Sequence, residues 1–458
     1  MKSNLKIEIP SGANEIIHIL QNNGYEAFLV GGCVRDSILN RPIHDYDITT
    51  SATPDEMMEV FKDKRIIETG LQHGTITILI DGEAYECTTY RIDGNYSDSR
   101  RPDSVTFTQS LEEDLKRRDF TINAMAYNDE VGLVDPFNGM EDIVHYKIRC
   151  VGRAEDRFSE DALRILRAIR FASQLGFVVD SDVSLNIHKM YKNLENISVE
   201  RINSEFCKIA ASSEFYIQME LFSEVFSLFI PEIKDKFGFQ QNNPYHIYDV
   251  WNHTVHAIQA HECDCKPDLN PRDLITSLAV FFHDIGKPHC YQDGEDGIRH
   301  FKGHGRVSAD MTDEIMKRLR FDNDTREKVV ELVYYHDATF EVGKKYVKRW
   351  LNKIGEEQFR RLLNVRRADI KAQADMDRET RLQKIDNIGY ILDEVLQDDE
   401  CFSLKDLAVN GNDLITIGYN PGKEIGEVLN NLLDSVISGE YINEKEKLLE
   451  VAERRLHG

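Results

Sequence analysis

The segment LVGGCVRDSILNRPIHDYDI, residues 29–48, decides the fold. It opens with an apolar run that stops at Gly31-Gly32, continues in a helix-like pattern and ends in Asp45-Tyr-Asp47. A short apolar run that stops at paired glycines is typical of a strand followed by a tight turn. Residues two apart on a strand project from the same side, so both carboxylates would face one side of a second strand. This order predicts a small α/β unit.

The same residues suit phosphate and metal chemistry. Glycines let backbone N–H groups and the N-terminus of the following helix approach phosphate oxygens, and the guanidinium of Arg35 would clamp them. Two carboxylates on one strand face can share Mg²⁺ ions that bridge a triphosphate and an attacking hydroxyl. Each pattern alone has a plain alternative, a simple turn or a pair of surface acids. Their combination predicts triphosphate binding with Mg²⁺ at Asp45 and Asp47.

Two further segments follow, RRDFTINAMAYN at 117–128 and EDALRILRAIRFA at 160–172. Together with the first segment they resemble the signature motifs of the bacterial-type CCA-adding tRNA nucleotidyltransferases and their poly(A) polymerase relatives, in the polymerase β-like superfamily. The resemblance implies that Asp45 and Asp47 are the catalytic metal ligands. Glu86, on a predicted hairpin strand, is a candidate third carboxylate, and a solvated strand acid is the alternative. The resemblance also implies a nucleotide site made of Gly31, Gly32, Arg35, Arg117, Arg118, Asp119, Asn123, Asp161, Arg164, Arg167 and Arg170.

Asp161 and Arg164 are candidates for choosing the base. They are three residues apart in a segment with a helical apolar stripe, so we expect them side by side on its polar face. Cytosine and adenine both present an amino donor beside a ring-nitrogen acceptor, whereas uracil and guanine present an acceptor beside a donor. A carboxylate and a guanidinium match only C and A, and a wrong base would leave buried groups unpaired. The resemblance gives this pair the same role, which is selection without a nucleic-acid template.

A second group of motifs lies in the second half of the chain. His253, His283-Asp284 in AVFFHDIGKP, and Asp337 supply imidazole and carboxylate ligands that suit Mn, Ni, Fe or Mg. The pattern resembles the HD phosphohydrolase superfamily and implies a divalent transition metal at these four residues. His304 is a candidate for a second metal position or for holding a phosphate. Such a metal would activate water to cleave phosphomonoesters or cyclic 2′,3′-phosphates. A purely structural role for the domain is the alternative.

Composition limits the remaining possibilities. With 41% apolar and 30% charged residues, the 458-residue chain is too hydrophobic to be broadly disordered. It has no apolar stretch near the roughly 18 residues of a membrane helix and no signal-peptide or transit-peptide pattern, so we expect a cytoplasmic protein. The net charge of −24 argues against non-specific nucleic-acid binding. Residues 344–371 nevertheless contain ten Lys or Arg against three acidic residues, which predicts a local basic surface for tRNA.

The predicted fold class is α+β, with a polymerase β-like nucleotidyltransferase head followed by helical parts. The predicted domains are the head at 1–148, a nucleotide-selecting and RNA-binding neck at 149–240, an HD-type metal-binding domain at 241–345 and a tRNA-binding tail at 346–458. In the tail, glycines at the ends of helix-like runs in residues 407–433 would let helix N-termini meet RNA phosphates.

The predicted function is template-independent addition of C, C and A to the 3′ end of tRNA from CTP and ATP, with release of pyrophosphate. The polar, Arg-rich segment 91–107 favours the complete reaction, because the resemblance associates such a loop with full CCA addition. An A-adding or poly(A)-adding relative remains an alternative. So does a metal-dependent phosphohydrolase whose head only binds nucleotide.

Overall fold

The computed structural model describes residues 6–68, 70–71, 74–94, 104–264 and 272–457. The chain divides into two compact units, Met1–Phe229 and Ile230–Gly458. The boundary between them lies close to the predicted one between neck and HD-type domain, and the four-part division itself stays a prediction. The mixed α and β content, with strands concentrated in the first unit, confirms the predicted fold class.

The first unit combines short strands with short helices. Its strands are β1 (Ala27–Val30), β2 (Asp47–Thr50), β3 (Arg65–Ile67), β4 (Thr75–Ile80), β5 (Glu83–Thr89), β6 (Arg91–Asp93), β7 (Val105–Phe107), β8 (Ala126–Asn128), β9 (Gly132–Val134), β10 (Lys147–Ile148) and β11 (Val178–Val179). Its helices are α1 (Ser11–Asn22), α2 (Gly32–Ile38), α3 (Pro54–Val60), α4 (Leu111–Lys116), α5 (Gly139–Val144), α6 (Ala154–Glu160), α7 (Leu163–Leu175), α8 (Ser181–Met190), α9 (Val199–Ala210), α10 (Phe215–Leu221) and α11 (Ser223–Phe229).

Within the described residues, the main sheet has seven strands in the order β3-β4-β5-β2-β1-β8-β9. Strand β1 runs antiparallel to β2 and β8, whereas β2 runs parallel to β5. This parallel register places Asp47 opposite Glu86. The predicted hairpin between β4 and β5 is confirmed, and its turn residues Asp81 and Gly82 both have positive φ, as a two-residue hairpin turn requires.

The core explains why the glycine turn stands where it does. All four residues of β1 are buried, and Phe28 and Val30 pack in a cluster with Tyr90 and Leu115. The chain then leaves the core at Gly31, whose φ of 78° lies in the left-handed region that favours glycine. Helix α2 therefore begins directly at the end of a rigid buried strand.

Helix α7 confirms the predicted apolar stripe and corrects its start. Ile165, Leu166 and Ile169 are buried, and the helix ends at Gly176, which has a φ of 68°. Asp161, however, lies between α6 and α7 with extended backbone angles of −138° and 105°. The expectation that Asp161 shares a helix with Arg164 was therefore wrong. Its side chain instead accepts a hydrogen bond from the Leu163 backbone N–H at 3.0 Å, near the start of α7.

The second unit is nearly all helical. Its helices are α12 (Val250–Asp264), α13 (Leu274–Phe282), α14 (His304–Arg318), α15 (Asn323–Tyr335), α16 (Lys344–Lys371), α17 (Arg378–Gln397), α18 (Gly411–Thr416), α19 (Lys423–Ile437) and α20 (Lys445–His457), with β12 (Gln292–Asp293) paired to β13 (Arg299–His300). Helix α16 is interrupted at Gly355, where φ is 76°. Among the described residues, no helix combines the length and the apolar character that crossing a membrane requires.

The predicted basic surface on α16 is largely neutralised by acids of the same unit. Arg360 pairs with Asp393, and Lys344 lies 2.7 Å from a carboxylate oxygen of Glu400. Seven of the ten cations have a carboxylate partner in this way: Lys344, Lys348, Arg360, Arg361, Arg366, Arg367 and Lys371. These ion pairs reduce the charge of the predicted local basic surface, and its role in tRNA binding stays a prediction. Lys345, Arg349 and Lys353 remain without a carboxylate within 4.0 Å in the described chain.

The structure describes the predicted RNA-binding helix starts of residues 407–433 and part of the Arg-rich segment 91–107. The N-terminus of α18 is covered by its own cap, because the Asn410 side chain accepts hydrogen bonds from Asn412 and Asp413. Helix α19 has no side-chain cap, so its first N–H groups stay candidates for RNA phosphates. The Arg-rich segment is described only at its two ends, where β6 and β7 pair, and residues 95–103 lie outside the described chain.

Candidate nucleotide and metal sites

One cavity in the first unit contains the predicted nucleotide residues. Its volume is about 470 Å³. Asp47, one of the two predicted metal ligands, also lines it. The predicted nucleotide residues in its wall are Gly31, Gly32, Arg35, Arg117, Arg118, Asp119, Asn123, Asp161, Arg164, Arg167 and Arg170. Leu163, Phe171 and Arg201 line it too and were not predicted.

The glycine turn lies against two arginines. A Cβ at Gly31 would lie 3.0 Å from Arg118 Nη1 and would push this guanidinium aside, and the φ of 78° itself favours glycine. Arg35 is fixed on both sides, because its Nη1 donates to Asn123 Oδ1 at 2.7 Å and its Nε donates to Asp36 at 2.9 Å. The turn and its guanidinium groups therefore form one wall of the cavity.

Asp119 lies in the cavity wall, and its carboxylate accepts hydrogen bonds from three groups. Its Oδ1 accepts hydrogen bonds from the Phe120 backbone and from Asn123, and its Oδ2 accepts one from Arg167 at 2.7 Å. Burial alone would raise the pKa of Asp119, but Arg167 and Arg164 hold it well below its ordinary value. A permanently ionised Asp119 thus fixes Asn123 and α7 relative to each other.

The two predicted base-selecting residues are held by different partners. Asp161 forms a two-point ion pair with Arg201 of α9, with the shorter N···O distance at 2.8 Å. Arg164 donates to Glu160 at 2.5 Å and to the Arg117 carbonyl at 3.0 Å. Both side chains are therefore pre-oriented by protein contacts before any base arrives.

Phe171 forms an apolar wall surrounded by cations. The guanidinium carbons of Arg35, Arg167 and Arg170 lie 5.0, 5.5 and 4.1 Å from its ring centre. These distances permit cation–π attraction, which offsets part of the repulsion among three like charges. Arg170 also pairs with Glu205 at 2.6 Å. The cavity consequently has strong positive character, as a triphosphate site requires.

The carboxylates predicted to hold metal lie at the start of β2 and on its neighbour β5. Asp47 and Glu86 face each other across the parallel β2–β5 pairing, and Asp45 precedes β2 and is exposed. Asp45 and Glu86 are not among the cavity-lining residues. Partial burial raises the pKa of Asp47, and the carboxylates of Glu86 and Asp45 raise it further against the opposing effect of Arg118. This crowding of negative charge is what a divalent cation would relieve, so the donor set fits such an ion.

Four histidines and two aspartates meet in the second unit. We call this group the histidine cluster: His253, His283, Asp284, His304, His336 and Asp369. The Asp284 oxygens approach both histidine pairs, with Oδ2 at 3.2 Å from His283 Nε2 and Oδ1 at 3.4 Å from His304 Nε2. Asp284 is buried and lies between two groups of potential ligands, so the geometry would suit two neighbouring metal positions.

The imidazole tautomers favour metal binding. The Nδ1 atoms of His283, His304 and His336 each lie 2.6 to 2.8 Å from a backbone carbonyl, which places the proton of a neutral ring on Nδ1. The Nε2 lone pairs then face inward, with the His304 and His336 nitrogens 2.9 Å apart. Although burial alone would raise it, His283 and Lys287 hold the pKa of Asp284 well below its ordinary value. Inward lone pairs around an ionised carboxylate fit a divalent metal.

Asp337 does not join this group. Its side chain is 59% exposed, and its carboxylate comes no closer than 3.8 Å to His304, at Nδ1 rather than at the inward Nε2. Asp369 of α16 occupies the expected position instead, with Oδ1 at 3.1 Å from His253 Nε2. The choice of Asp337 from its place after a histidine is therefore corrected to Asp369. The sequence carried no comparable signal for Asp369, which is one of three acidic residues in residues 344–371.

Comparisons with known proteins agree with this architecture. The family model described as "Poly A polymerase head domain" matches residues 27–149, and that of tRNA nucleotidyltransferase domain 2 matches residues 304–452. A CCA-adding enzyme of Lactobacillus helveticus is 33% identical over 436 residues, which cover 94% of each chain. This chain belongs to the CCA-adding enzyme family.

Other CCA-adding enzymes match over shorter or more divergent stretches. The enzyme of Lactobacillus delbrueckii subsp. bulgaricus is 50% identical over 213 residues, which cover 46% of this chain and 53% of the relative. The chain thus spans about half the length of several curated CCA-adding enzymes that it matches. The crystal structure of the Bacillus stearothermophilus CCA-adding enzyme in complex with CTP has a TM-score of 0.65 and 28% identity, covering 97% of this chain and 98% of that one.

Proposed function

We propose that this protein adds C, C and A to the 3′ end of tRNA from CTP and ATP and releases pyrophosphate. The observation that carries the proposal is the convergence of the glycine turn, Asp47 and the arginines of α7 on one cavity. The RNA 3′ hydroxyl would attack the α-phosphorus of the nucleotide, the bond to the β-phosphate would break, and pyrophosphate would leave. We further expect this reaction to take place in the cytoplasm.

Asp45 and Asp47 would hold Mg²⁺, with Glu86 as a neighbouring carboxylate. When bound, the ion would supply positive charge to the triphosphate and to the attacking hydroxyl. The protein itself contributes orientation: Arg35 and Arg118 beside Gly31 can donate to phosphate oxygens, and Asp119 keeps Asn123 in place. Most of this catalysis would come from positioning and fixed charge, since the chain's groups are already in place.

Asp161 and Arg164 keep enough free hydrogen-bonding sites to select a base. Arg201 occupies one site on Asp161 Oδ2, and a carboxylate oxygen offers two lone pairs, so one acceptor site remains for an amino group. Arg164 uses its Nη1 and one Nη2 hydrogen on protein acceptors, which leaves N–H donors for a ring nitrogen. The pair can therefore accept from and donate to the shared edge of C and A while both residues keep their partners.

The test is incorporation of each of the four labelled nucleoside triphosphates with Mg²⁺ onto tRNA transcripts that end before CCA, after C and after CC. We expect C, C and A in order, then a halt. Addition of A alone to the CC end would show instead that the protein is an A-adding enzyme. Unlimited addition of A to any RNA would show that it is a poly(A) polymerase. The variant Asp47→Ala should lose incorporation. Glu59→Ala removes an exposed acid whose ion-pair partner among the described residues is Lys62, and it should retain incorporation.

A second activity is favoured by the histidine cluster. We infer that a divalent transition metal bound there supports hydrolysis of phosphomonoesters or cyclic 2′,3′-phosphates. His253, His283, Asp284 and Asp369 would hold one ion, and His304 and His336 would serve a second with Asp284 between them. When bound, the metal would activate water. Phosphate release by the full chain with Mn²⁺, Ni²⁺ or Mg²⁺ tests this activity, and its absence with every metal would leave the domain a structural role.

A further inference from the structure

The histidine cluster opens into a cleft made of two adjoining cavities. The first has a volume of about 510 Å³ and the second about 710 Å³, and they share His246, Asp337 and Gln373 in their walls. Asp284 and Asp369 line the first, whereas Arg366 and Arg381 line the second. Volumes of this size can hold a nucleotide-sized ligand. The cleft is therefore larger than cleavage of a lone phosphate group requires.

The two arginines are tied to the cluster through one carboxylate. Asp369 Oδ1 lies 3.1 Å from His253 Nε2 and accepts a hydrogen bond from Gln373 at 2.7 Å. Its other oxygen, Oδ2, accepts from Arg366 Nη1 at 3.3 Å. Gln373 in turn accepts from Arg381 Nη2 at 2.5 Å. Asp369 and Gln373 thus link both guanidinium groups to the histidine cluster through hydrogen bonds.

These guanidinium groups keep unused hydrogen-bond donors. Nε of Arg366 and Nη1 of Arg381 are buried and have no acceptor in the described part of the chain. Burial lowers the pKa of Arg381, and the neighbouring Arg366 lowers it further against the effect of Asp369. Asp369 and Asp337, both within 4.0 Å, offset part of the charge of Arg366. Two buried donors without an acceptor are nevertheless costly, and an anion that reached them would satisfy both.

We propose that Arg366 and Arg381 bind a second phosphate group of the substrate whose first phosphate is cleaved at the histidine cluster. The inference rests on the phosphohydrolase activity proposed above. The substrate class is a ribose that carries phosphates on both sides, found in a nucleoside 3′,5′-bisphosphate and at an RNA end with a terminal 3′-phosphate. Water oxygen bonds to the 3′ phosphorus, the ester bond to ribose breaks, and the ribose oxygen takes up a proton. The exposed ring of Tyr245 beside Arg381 offers a stacking surface for the base.

The test compares phosphate release from adenosine 3′,5′-bisphosphate and adenosine 3′-monophosphate by the full chain with Mn²⁺. We expect kcat/KM to be about tenfold or more higher for the bisphosphate, because charge-assisted hydrogen bonds discriminate at that level. Arg381→Gln should bring the ratio of the two substrates close to one, and Arg381→Lys should restore part of it. Arg378→Gln, on the same helix and paired only with Asp375, is the matched control that keeps the ratio. Equal kcat/KM values in the wild type, or a preference that survives Arg381→Gln, would overturn the proposal.

A binding measurement separates this inference from the activity on which it rests. If no substrate is hydrolysed, the phosphohydrolase proposal fails, and calorimetric titration of adenosine 3′,5′-bisphosphate still tests the arginines. Binding that is about tenfold weaker in Arg381→Gln than in the wild type would support the phosphate site, and equal binding would refute it. An oligoribonucleotide with a 3′-phosphate identifies the source of the second phosphate. If the oligoribonucleotide has a higher kcat/KM than adenosine 3′,5′-bisphosphate, the natural substrate is an RNA end. If its kcat/KM is lower, the substrate is a free nucleotide. The phosphate site at Arg366 and Arg381 is compatible with either result.

Discussion

Arg201 shows how one residue can control another residue's chemistry. It contacts Asp161 from α9 and removes the freedom of that carboxylate to rotate. We expect Arg201→Ala to lower kcat/KM for CTP and ATP about tenfold or more and to reduce their preference over UTP, because a mobile carboxylate discriminates poorly. Single-nucleotide incorporation with each triphosphate measures this. Lys208→Ala, an exposed cation on the same helix, is the control, and an unchanged CTP/UTP ratio in Arg201→Ala would contradict the role.

Asp119 gives the protein an acid-sensitive contact. Since its pKa is lowered in the folded state, its stabilising effect is complete above the unfolded value near pH 4 and is lost as pH falls toward the folded value. Asp119→Asn should cost about 2 kcal/mol at pH 7, and its Tm should fall less steeply than that of the wild type between pH 5 and pH 3. Thermal unfolding across this range measures both slopes. The exposed Asp63→Asn provides the reference, and parallel slopes for Asp119→Asn and wild type would refute the assignment.

At the scale of single residues, the sequence predicted those that belong to short local motifs. Gly31, Arg35 and Asp47 belong to one short segment whose order predicts phosphate and metal binding, and the structure places all three in the wall of one cavity. Asp369 and Arg201 carry no such pattern, since packing of distant helices creates their roles. The neighbouring residues of Asp337 suggested a ligand, but Asp337 lies in the turn after α15, where its side chain is exposed.

At the scale of elements, α16 carries a specific candidate surface for RNA. Lys345, Arg349 and Lys353 repeat every four residues and so share one face of the helix before Gly355. None has a carboxylate within 4.0 Å among the described residues, and Lys353 lies 4.2 Å from the Tyr335 ring centre. This stripe is the unpaired part of the local basic surface predicted for tRNA, within the described residues.

We expect each charge-removing substitution in this stripe to weaken tRNA binding and to reduce the dependence of log affinity on log salt by about one phosphate contact. Arg349→Gln and Lys353→Gln are the test variants. Arg360→Gln on the same helix, whose charge is already paired with Glu356 and Asp393, is the control. Filter binding of a tRNA transcript at several salt concentrations gives the slopes. If Arg360→Gln weakens tRNA binding as much as the two stripe variants do, ion pairing within the protein does not decide which cations bind RNA.

The break between α6 and α7 explains another limit of sequence-based prediction. An apolar stripe of period 3.6 correctly predicted α7, but it extends past the point where the backbone leaves the helix. Asp161 follows α6 with extended backbone and forms its ion pair with Arg201 from that position. Periodicity reports which face is buried, and it does not report where the backbone leaves the helix.

At the scale of the whole molecule, the two candidate chemistries lie in separate units. Asp47 belongs to the first unit, and His283 with Asp284 belongs to the second. Asp47→Ala should therefore abolish nucleotide incorporation and preserve phosphate release, and Asp284→Ala should do the reverse. Both assays on both variants, with circular dichroism to verify folding, test this independence. Loss of both activities in either well-folded variant would show that the sites are coupled.

The nucleotide cavity also has a consequence for the order in which the protein becomes competent during synthesis. Its lining runs from Gly31 to Arg201, so every wall comes from the first unit. Domains generally fold as units, N-terminal first, while a ribosome adds about 5–20 residues per second. We expect a nascent chain that has cleared the exit tunnel beyond Phe229 to bind CTP many seconds before the histidine cluster exists. Ribosome-bound chains halted at successive lengths would show the two sites maturing in sequence, with the cellular triphosphate pool able to stabilise the first while the second is still being made.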